Sequence, residues 1–145
     1  MKIWFDMDGT IANLYGVENW LPMLIAENPM PYAVAEPLVN LSVLARLLNQ
    51  LQAQGHEIGI ISWLSKNSTA NYDALVTEAK KGWLRKHMAS VRWDAVEIVA
   101  YGTPKHEVCG SGILFDDEER NRVNWNCGNA YEPTEIFHIL KEMRV

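Results

Sequence analysis

"KIWFDMDGTIANLYG", residues 2–16, is the stretch whose reading decides the fold. A strand over Lys2–Phe5, aromatic and β-branched at Ile3-Trp4-Phe5, stops at two aspartates one residue apart, Asp6 and Asp8, and the chain then turns through Gly9 and Thr10. Asp-Gly is a common turn dipeptide, and taken alone Asp8-Gly9 would also suit a hairpin. A hairpin requires a second strand, and the segment after Gly9 has no alternating strand pattern. The stretch reads instead as a buried strand that delivers a pair of carboxylates at its carboxyl end.

The rest of the chain supports that reading. Further short apolar runs end at polar or turn residues and read as buried strands: Glu57–Ile61, Ala95–Val99, Ile113–Phe115 and, more weakly, Ala130–Tyr131. Helical patterns lie between them. Leu38–Gln54 carries Leu41, Leu44, Leu47, Leu48 and Leu51 at spacings of three and four, and Gly55 follows as a stop. Asn71–His87 reads as a second helix capped by Ser68 or Asn71, Lys105–Cys109 as a short third, and Thr134–Met143 as a fourth. Strands alternating with helices predict an α/β fold, a three-layer Rossmann-like parallel sheet with helices on both faces. Ligands bind such sheets at the carboxyl ends of the strands, where the strand order reverses. Asp6 and Asp8 fall there.

Bulk properties narrow the function. The chain has 145 residues, enough for one domain spanning 1–145, and 48% hydrophobic against 21% charged residues is a globular composition. A net charge of -5 disfavours an extended nucleic-acid partner, while a local pocket for one small anion remains compatible with it. Cys109 and Cys127 match no metal-ligand spacing and are too few for a disulfide framework. The N-terminus reaches Asp6 with a single lysine, so it does not read as a signal peptide, and no apolar stretch approaches membrane-spanning length. The expectation is a cytoplasmic protein with no membrane partner, and a homo-oligomer is compatible with the sequence.

Four features fall at strand ends or helix starts: Asp6-x-Asp8-Gly9-Thr10, Ser62 after "EIGIIS", Lys105 after Gly102-Thr103-Pro104, and Asp116-Asp117 in "ILFDDEERN". Each alone has a plain structural explanation, as a turn, a cap, a surface lysine or a solvated acidic run. Together they form a coherent set. Converging carboxylates repel unless a cation is present, and hard oxygen ligands suit Mg²⁺. A carboxylate can attack phosphorus to give an aspartyl phosphate. A lysine and the cation then offset charge on the transferring group, and a second aspartate handles protons. Gly9 allows a tight turn beneath the phosphate.

With these motifs, "FDMDGT", Ser62, Lys105 and "LFDD" in that order, the sequence resembles the haloacid dehalogenase superfamily of phosphohydrolases from residue 2 to about residue 118. The resemblance implies Asp6 as nucleophile and Asp8 as general acid/base that also offers its backbone carbonyl to Mg²⁺. It implies phosphate binding by Ser62 and Lys105, and metal binding by Asp116 and Asp117. The full expected site is Asp6, Asp8, Asp116 and Asp117 for the metal, with Gly9, Thr10, Ser62, Trp63 and Lys105 around the phosphate. The stretch "DAVEIVAYGTPKHEVCGSGILFDDEERN" is most similar to the small 5'(3')-deoxyribonucleotidase-like branch, but only residues 14–37 are available as a cap. With Pro22, Pro29, Pro31 and Pro37, that insert can form one or two short helices and not a full cap domain.

The insert carries Glu18, Glu27 and Glu36 but no Lys or Arg, which favours a flat uncharged group beyond the phosphate over a sugar bisphosphate. Tyr15, Trp20, Tyr32 and Trp63 are the stacking candidates, with Tyr15 and Trp20 as substrate contacts. The expected function is a Mg²⁺-dependent phosphomonoesterase acting on nucleoside monophosphates or another small phosphorylated metabolite. The alternatives are a phosphatase for a phosphorylated nucleic-acid end and a non-catalytic phosphate-binding module.

Overall fold

A computed structural model describes residues 1–145. In chain order the elements are β1 (Lys2–Phe5), β2 (Ala12–Asn13), α1 (Trp20–Ile25), α2 (Met30–Val34), β3 (Glu36–Pro37), α3 (Leu41–Ala53), β4 (Glu57–Trp63), α4 (Ala70–His87), β5 (Ala95–Val99), α5 (Lys105–Cys109), β6 (Ile113–Phe115), α6 (Glu119–Asn124), β7 (Ala130–Tyr131) and α7 (Ile136–Met143). Short 3-10 turns occupy Leu14–Gly16 and Pro133–Glu135. Strands β5-β4-β1-β6-β7 form one sheet in that order, and every pairing is parallel. The chain builds outward from β1 to β5, then returns to lay β6 and β7 on the opposite side. The order therefore reverses between β1 and β6. This is the expected three-layer Rossmann-like fold.

The sequence alternation builds the two faces. In register, Ile3 lies beside Ile58 and Ile113, and Phe5 beside Ile60 and Phe115. Those side chains meet Leu44, Leu48 and Leu51 of α3, Trp83 of α4, and Ile136 and Leu140 of α7. The intervening residues Trp4, Ile61 and Leu114 face the other way, against Cys109 of α5 and Trp125. A sheet apolar on both faces must be covered on both, which is why it is parallel and layered. No helix is long and apolar enough to cross a membrane.

Element ends depart from the sequence expectation where side chains decide them. Helix α3 starts at Leu41 and not Leu38, because Asn40 Oδ1 accepts from Val43 N at 3.2 Å, while Leu38 N bonds Ile11 O at 2.9 Å. Thr69, and not Ser68 or Asn71, caps α4 by accepting from Tyr72 N at 3.2 Å; the Ser68 hydroxyl is engaged by Asp73. Helix α7 starts at Ile136, two residues after Thr134, because Pro133–Glu135 forms a 3-10 turn. Strand β4 runs two residues beyond Ile61, since β5 pairs with it through Ser62 and Trp63. Helix α6 was not anticipated at all.

The insert over 14–37 is bracketed by a two-residue antiparallel ribbon, Ala12 opposite Pro37 and Asn13 opposite Glu36. Within it lie the two short helices α1 and α2. It leans on α4, where Leu14 and Tyr32 pack with Tyr72 and Val76. Hydrogen bonds from Trp83 Nε1 to Ala35 O (2.8 Å) and from Tyr72 OH to Asn28 O (3.0 Å) fix it there.

Gly59 of β4 gives a direct test of the packing. A Cβ at this position would sit 2.6 Å from the Trp4 ring, which is anchored by its Nε1 bond to Ser111 O at 3.1 Å. We expect Gly59→Ala to cost about 1–3 kcal/mol by overpacking, read from the midpoint of urea unfolding. An unchanged midpoint would mean that the ring moves aside freely.

Candidate active site

The carboxylates are placed by the main chain. Asp6 N bonds Phe115 O at 2.9 Å and Asp116 N bonds Tyr131 O at 3.1 Å, so the sheet ladder runs one residue past β1 and past β6. Both aspartates therefore emerge at the point where the strand order reverses. The chain after Asp6 then wraps tightly, with the amides of Thr10, Ile11 and Ala12 all bonding Met7 O at 3.0–3.1 Å. Gly9 has φ +83°, and a Cβ there would meet Asp117 Oδ2 at 2.3 Å. Glycine is needed both for the backbone conformation and for the carboxylate lying against it.

Oxygens of Asp6, Asp116 and Asp117 lie within 4.8 Å of one another. Lys105, the first residue of α5, is buried and donates to Asp6 Oδ1 at 2.8 Å and Asp116 Oδ2 at 2.7 Å. Asp116 also accepts from Asn121 Nδ2 at 3.1 Å and from Glu118 N at 2.9 Å. Thr10 Oγ1 donates to Asp6 Oδ2 at 3.0 Å and accepts from Asp117 N at 3.2 Å. One ammonium faces three carboxylates. Burial, together with the neighbouring Asp6, pushes the Asp116 carboxyl up to about 6 and that of Asp117 up to about 8.

The second aspartate of the pair goes to a different cation. Lys80 of α4 is fully buried and donates to Asp8 Oδ2 at 2.9 Å, Ser62 Oγ at 2.7 Å and Trp63 O at 2.7 Å. All three of its protons are used. Burial raises the Asp8 pKa even against this ammonium. Lys80 was not among the expected site residues. Its signal in the sequence is a lysine on the face of α4 that also buries Tyr72, Val76 and Trp83.

Above the cluster opens a cleft of about 690 Å³. Asp6, Asp8, Lys105, Asp116 and Asp117 form its floor, and Tyr15, Trp20 and Trp63 stand on its walls. Tyr15 and Trp20 make an edge-to-face pair with centroids 5.0 Å apart, and Trp63 tilts against Tyr101 at 5.0 Å. Trp63 Nε1 donates to Thr103 O at 2.8 Å, which fixes that wall. Gly9, Thr10 and Ser62 do not line the cleft. The Thr10 hydroxyl serves Asp6 and Asp117, the Ser62 hydroxyl serves Lys80, and the Gly9 amide bonds Ala12 O at 2.8 Å. The site as it stands brings together four aspartates, two lysines and an aromatic surround at one sheet edge.

No protein-family model matches this chain, and no curated protein matches it. Among solved structures, the fold is similar to a chain in the "Structure of Pnkp1/Rnl/Hen1 complex", with a TM-score of 0.57 and 17% identity. The likeness covers 90% of this chain and 44% of that one, so this chain spans less than half the length of its neighbour. At that identity the likeness concerns the fold.

Two measurements follow from the charges. Because the folded state holds protons on Asp116 and Asp117 more tightly than the unfolded chain does, stability falls as pH rises from about 4 through 6 to 8. In EDTA, thermal melting should decline over that range, and Asp117→Asn should flatten the decline; a wild-type profile flat over the range would contradict this. Separately, Lys80→Met strands the Asp8 carboxylate and should cost about 3 kcal/mol, with part of the loss recovered when Asp8→Asn is added. Additive losses in the double variant would show that the two side chains act independently.

Proposed function

We propose that the protein is a magnesium-dependent phosphomonoesterase that works through a phosphoryl group on Asp6, with nucleoside monophosphates as its preferred small substrates. The observation that carries this reading is the setting of Asp6 at the switch point. One of its oxygens is on Lys105 and the other on Thr10, and the Asp116 and Asp117 carboxylates stand beside it. Three hard oxygen donors balanced by one ammonium are a donor set suited to Mg²⁺, and Asp6, Asp116 and Asp117 are the side chains that would hold it. When bound, the ion supplies positive charge against these carboxylates and the phosphoryl oxygens.

The chain's own residues then account for the steps. An Asp6 oxygen attacks phosphorus as the bond to the leaving oxygen breaks, and Asp8 gives that oxygen its proton. A buried carboxyl with a raised pKa is suited to carry that proton. Asp8 next takes a proton from water as the water oxygen attacks phosphorus. The Asp6–phosphate bond breaks, leaving inorganic phosphate and free Asp6. Lys105 offsets charge on Asp6 and on the transferring group. Lys80 holds Asp8 in place throughout.

The aromatic walls support a planar leaving group. Tyr15, Trp20, Trp63 and Tyr101 all face the cleft, and base stacking on such rings is favourable. A second reading, a phosphatase for a phosphorylated nucleic-acid end, draws on the small insert, which leaves Tyr15 and Tyr101 at the surface. The net charge of -5 weighs against an extended strand.

The test is a phosphatase assay with Mg²⁺ on p-nitrophenyl phosphate and a panel of nucleotides and sugar phosphates. Asp6→Asn should fall to background, and Asp8→Asn should lose about 10²–10⁴ in kcat with little change in KM. Full activity in Asp6→Asn, or activity indifferent to EDTA, would sink the mechanism. Sugar phosphates turned over as efficiently as every nucleotide would remove the substrate assignment alone.

A further inference from the structure

Behind Trp63 lies a second hollow of about 400 Å³ that shares Trp63, Lys105 and Asn121 with the main cleft. Its chemistry is the reverse of its neighbour's. The main cleft is lined by Asp6, Asp8, Asp116, Asp117, Glu27 and Glu118. The hollow has no carboxylate on its walls, and instead gathers Lys105, His106 and Arg120 with the three asparagines Asn121, Asn124 and Asn126. Carboxylates lie just outside these walls, with Glu107 4.0 Å from His106 Nε2 and Glu118 3.6 Å from Arg120, but the surface the hollow itself presents is basic and amide-rich, which suits an anion.

Arg120 is the most loosely held of the hollow's cations. Its guanidinium lies 4.8 Å from the Trp63 centroid and 5.7 Å from that of Tyr101. Its polar contacts are long, 3.6 Å to Glu118 and 3.5 Å to Tyr101 OH, and 54% of the side chain is exposed. Lys105, by contrast, is buried and gives two of its three protons to Asp6 and Asp116. Beside the same aromatic pair, Lys66, which lines the main cleft, places its ammonium 5.9 Å from the Tyr101 centroid. An aromatic wall bearing cations is the surface on which a base stacks while its phosphates find charge. The stacked guanidinium retains the planar fork that binds phosphate oxygens in pairs.

We propose that this hollow is a second phosphate subsite, occupied when the phosphate on Asp6 belongs to a nucleoside that carries another phosphate group. The base would lie against Trp63 and Tyr101, with the second phosphate on Arg120 and the amides of Asn124 and Asn126. This inference rests on the reading of Asp6 as the phosphate site, and it narrows the substrate from a nucleoside monophosphate to a nucleoside with two phosphoester groups. Either a free nucleoside bisphosphate or the phosphorylated end of an oligonucleotide supplies that chemistry.

The test is equilibrium binding with Mg²⁺ present in the Asp6→Asn protein, where turnover does not intervene, with and without Arg120→Gln. The ligands are adenosine 5'-monophosphate, adenosine 3',5'-bisphosphate, and diadenylates phosphorylated at the 5' or the 3' end. Ligands with two phosphates should bind at least about tenfold more tightly than the monophosphate, and Arg120→Gln should bring that ratio to about one. A gain for the bisphosphate alone identifies a free nucleotide, and a gain for a diadenylate identifies a nucleic-acid end. No gain for any of them, or a ratio untouched by Arg120→Gln, overturns the subsite. Turnover of the same ligands with Mg²⁺ is scored separately, in the wild-type protein. An intact binding ratio without turnover would support the subsite and reject the phosphatase reading.

Discussion

Lys105 between Asp6 and Asp116 is the contact on which the carboxyl edge of the sheet depends. Strands β1 and β6 are neighbours, and each delivers a carboxylate with at most 7% exposure at the same end. Two such charges cannot share that edge without a cation, and the ammonium of Lys105 lies 2.8 and 2.7 Å from them. Buried ion clusters seldom stabilise a fold relative to apolar packing of the same shape. The chain confines this expense to one edge and keeps the rest of both sheet faces aliphatic and aromatic. Asp117 joins the cluster without a cation of its own, and burial beside Asp6 answers this by raising its pKa, so that a proton takes the place of a second ammonium.

The pair Asp6-x-Asp8 divides its work through two lysines from different helices. Asp6 is met by Lys105 of α5 and Asp8 by Lys80 of α4. Separate cations hold the two carboxyls although they stand two residues apart, and Asp8 still feels both Asp6 and Lys105. Lys80 adds a second connection, because its bonds to Ser62 Oγ and Trp63 O tie the end of β4 to the end of β1. It also lies 5.1 Å from the Tyr32 centroid, which brings the insert to the same point.

The sheet was legible from the sequence because buried strands between helices have few alternatives: Lys2–Phe5, Ala95–Val99, Ile113–Phe115 and Ala130–Tyr131 have the expected bounds. The aspartates were legible because strand ends are where such a sheet gathers side chains. What escaped reading depends on packing in three dimensions. Lys80 sits mid-helix among charged neighbours and is singled out only by the face it shares with Tyr72 and Trp83. Helix α6 is six residues, "ERNRVN", with no apolar periodicity and with Val123 exposed, so neither Asn121 nor Arg120 could be placed. The hydroxyls of Ser62 and Thr10 lie close to the cluster, but whether a hydroxyl turns to a ligand or to a neighbouring side chain is decided by contacts the one-dimensional pattern does not carry.

The two kinds of legibility correspond to two layers of determination. Strand ends fix which carboxylates meet, and with them the class of chemistry available, because moving them would break the sheet ladder that extends through Asp6 and Asp116. The walls come from the insert, from the turn after β5 that carries Tyr101, and from α6. These are short segments whose exposed side chains, such as Tyr15, Tyr101 and Arg120, can differ without disturbing the sheet. A full cap domain would enclose a substrate by volume. An insert of two short helices cannot, so on the proposed reading recognition would rest on ring faces and a few well-placed cations. The Trp63–Tyr101 pair, with Arg120 stacked on it, is where this chain concentrates both.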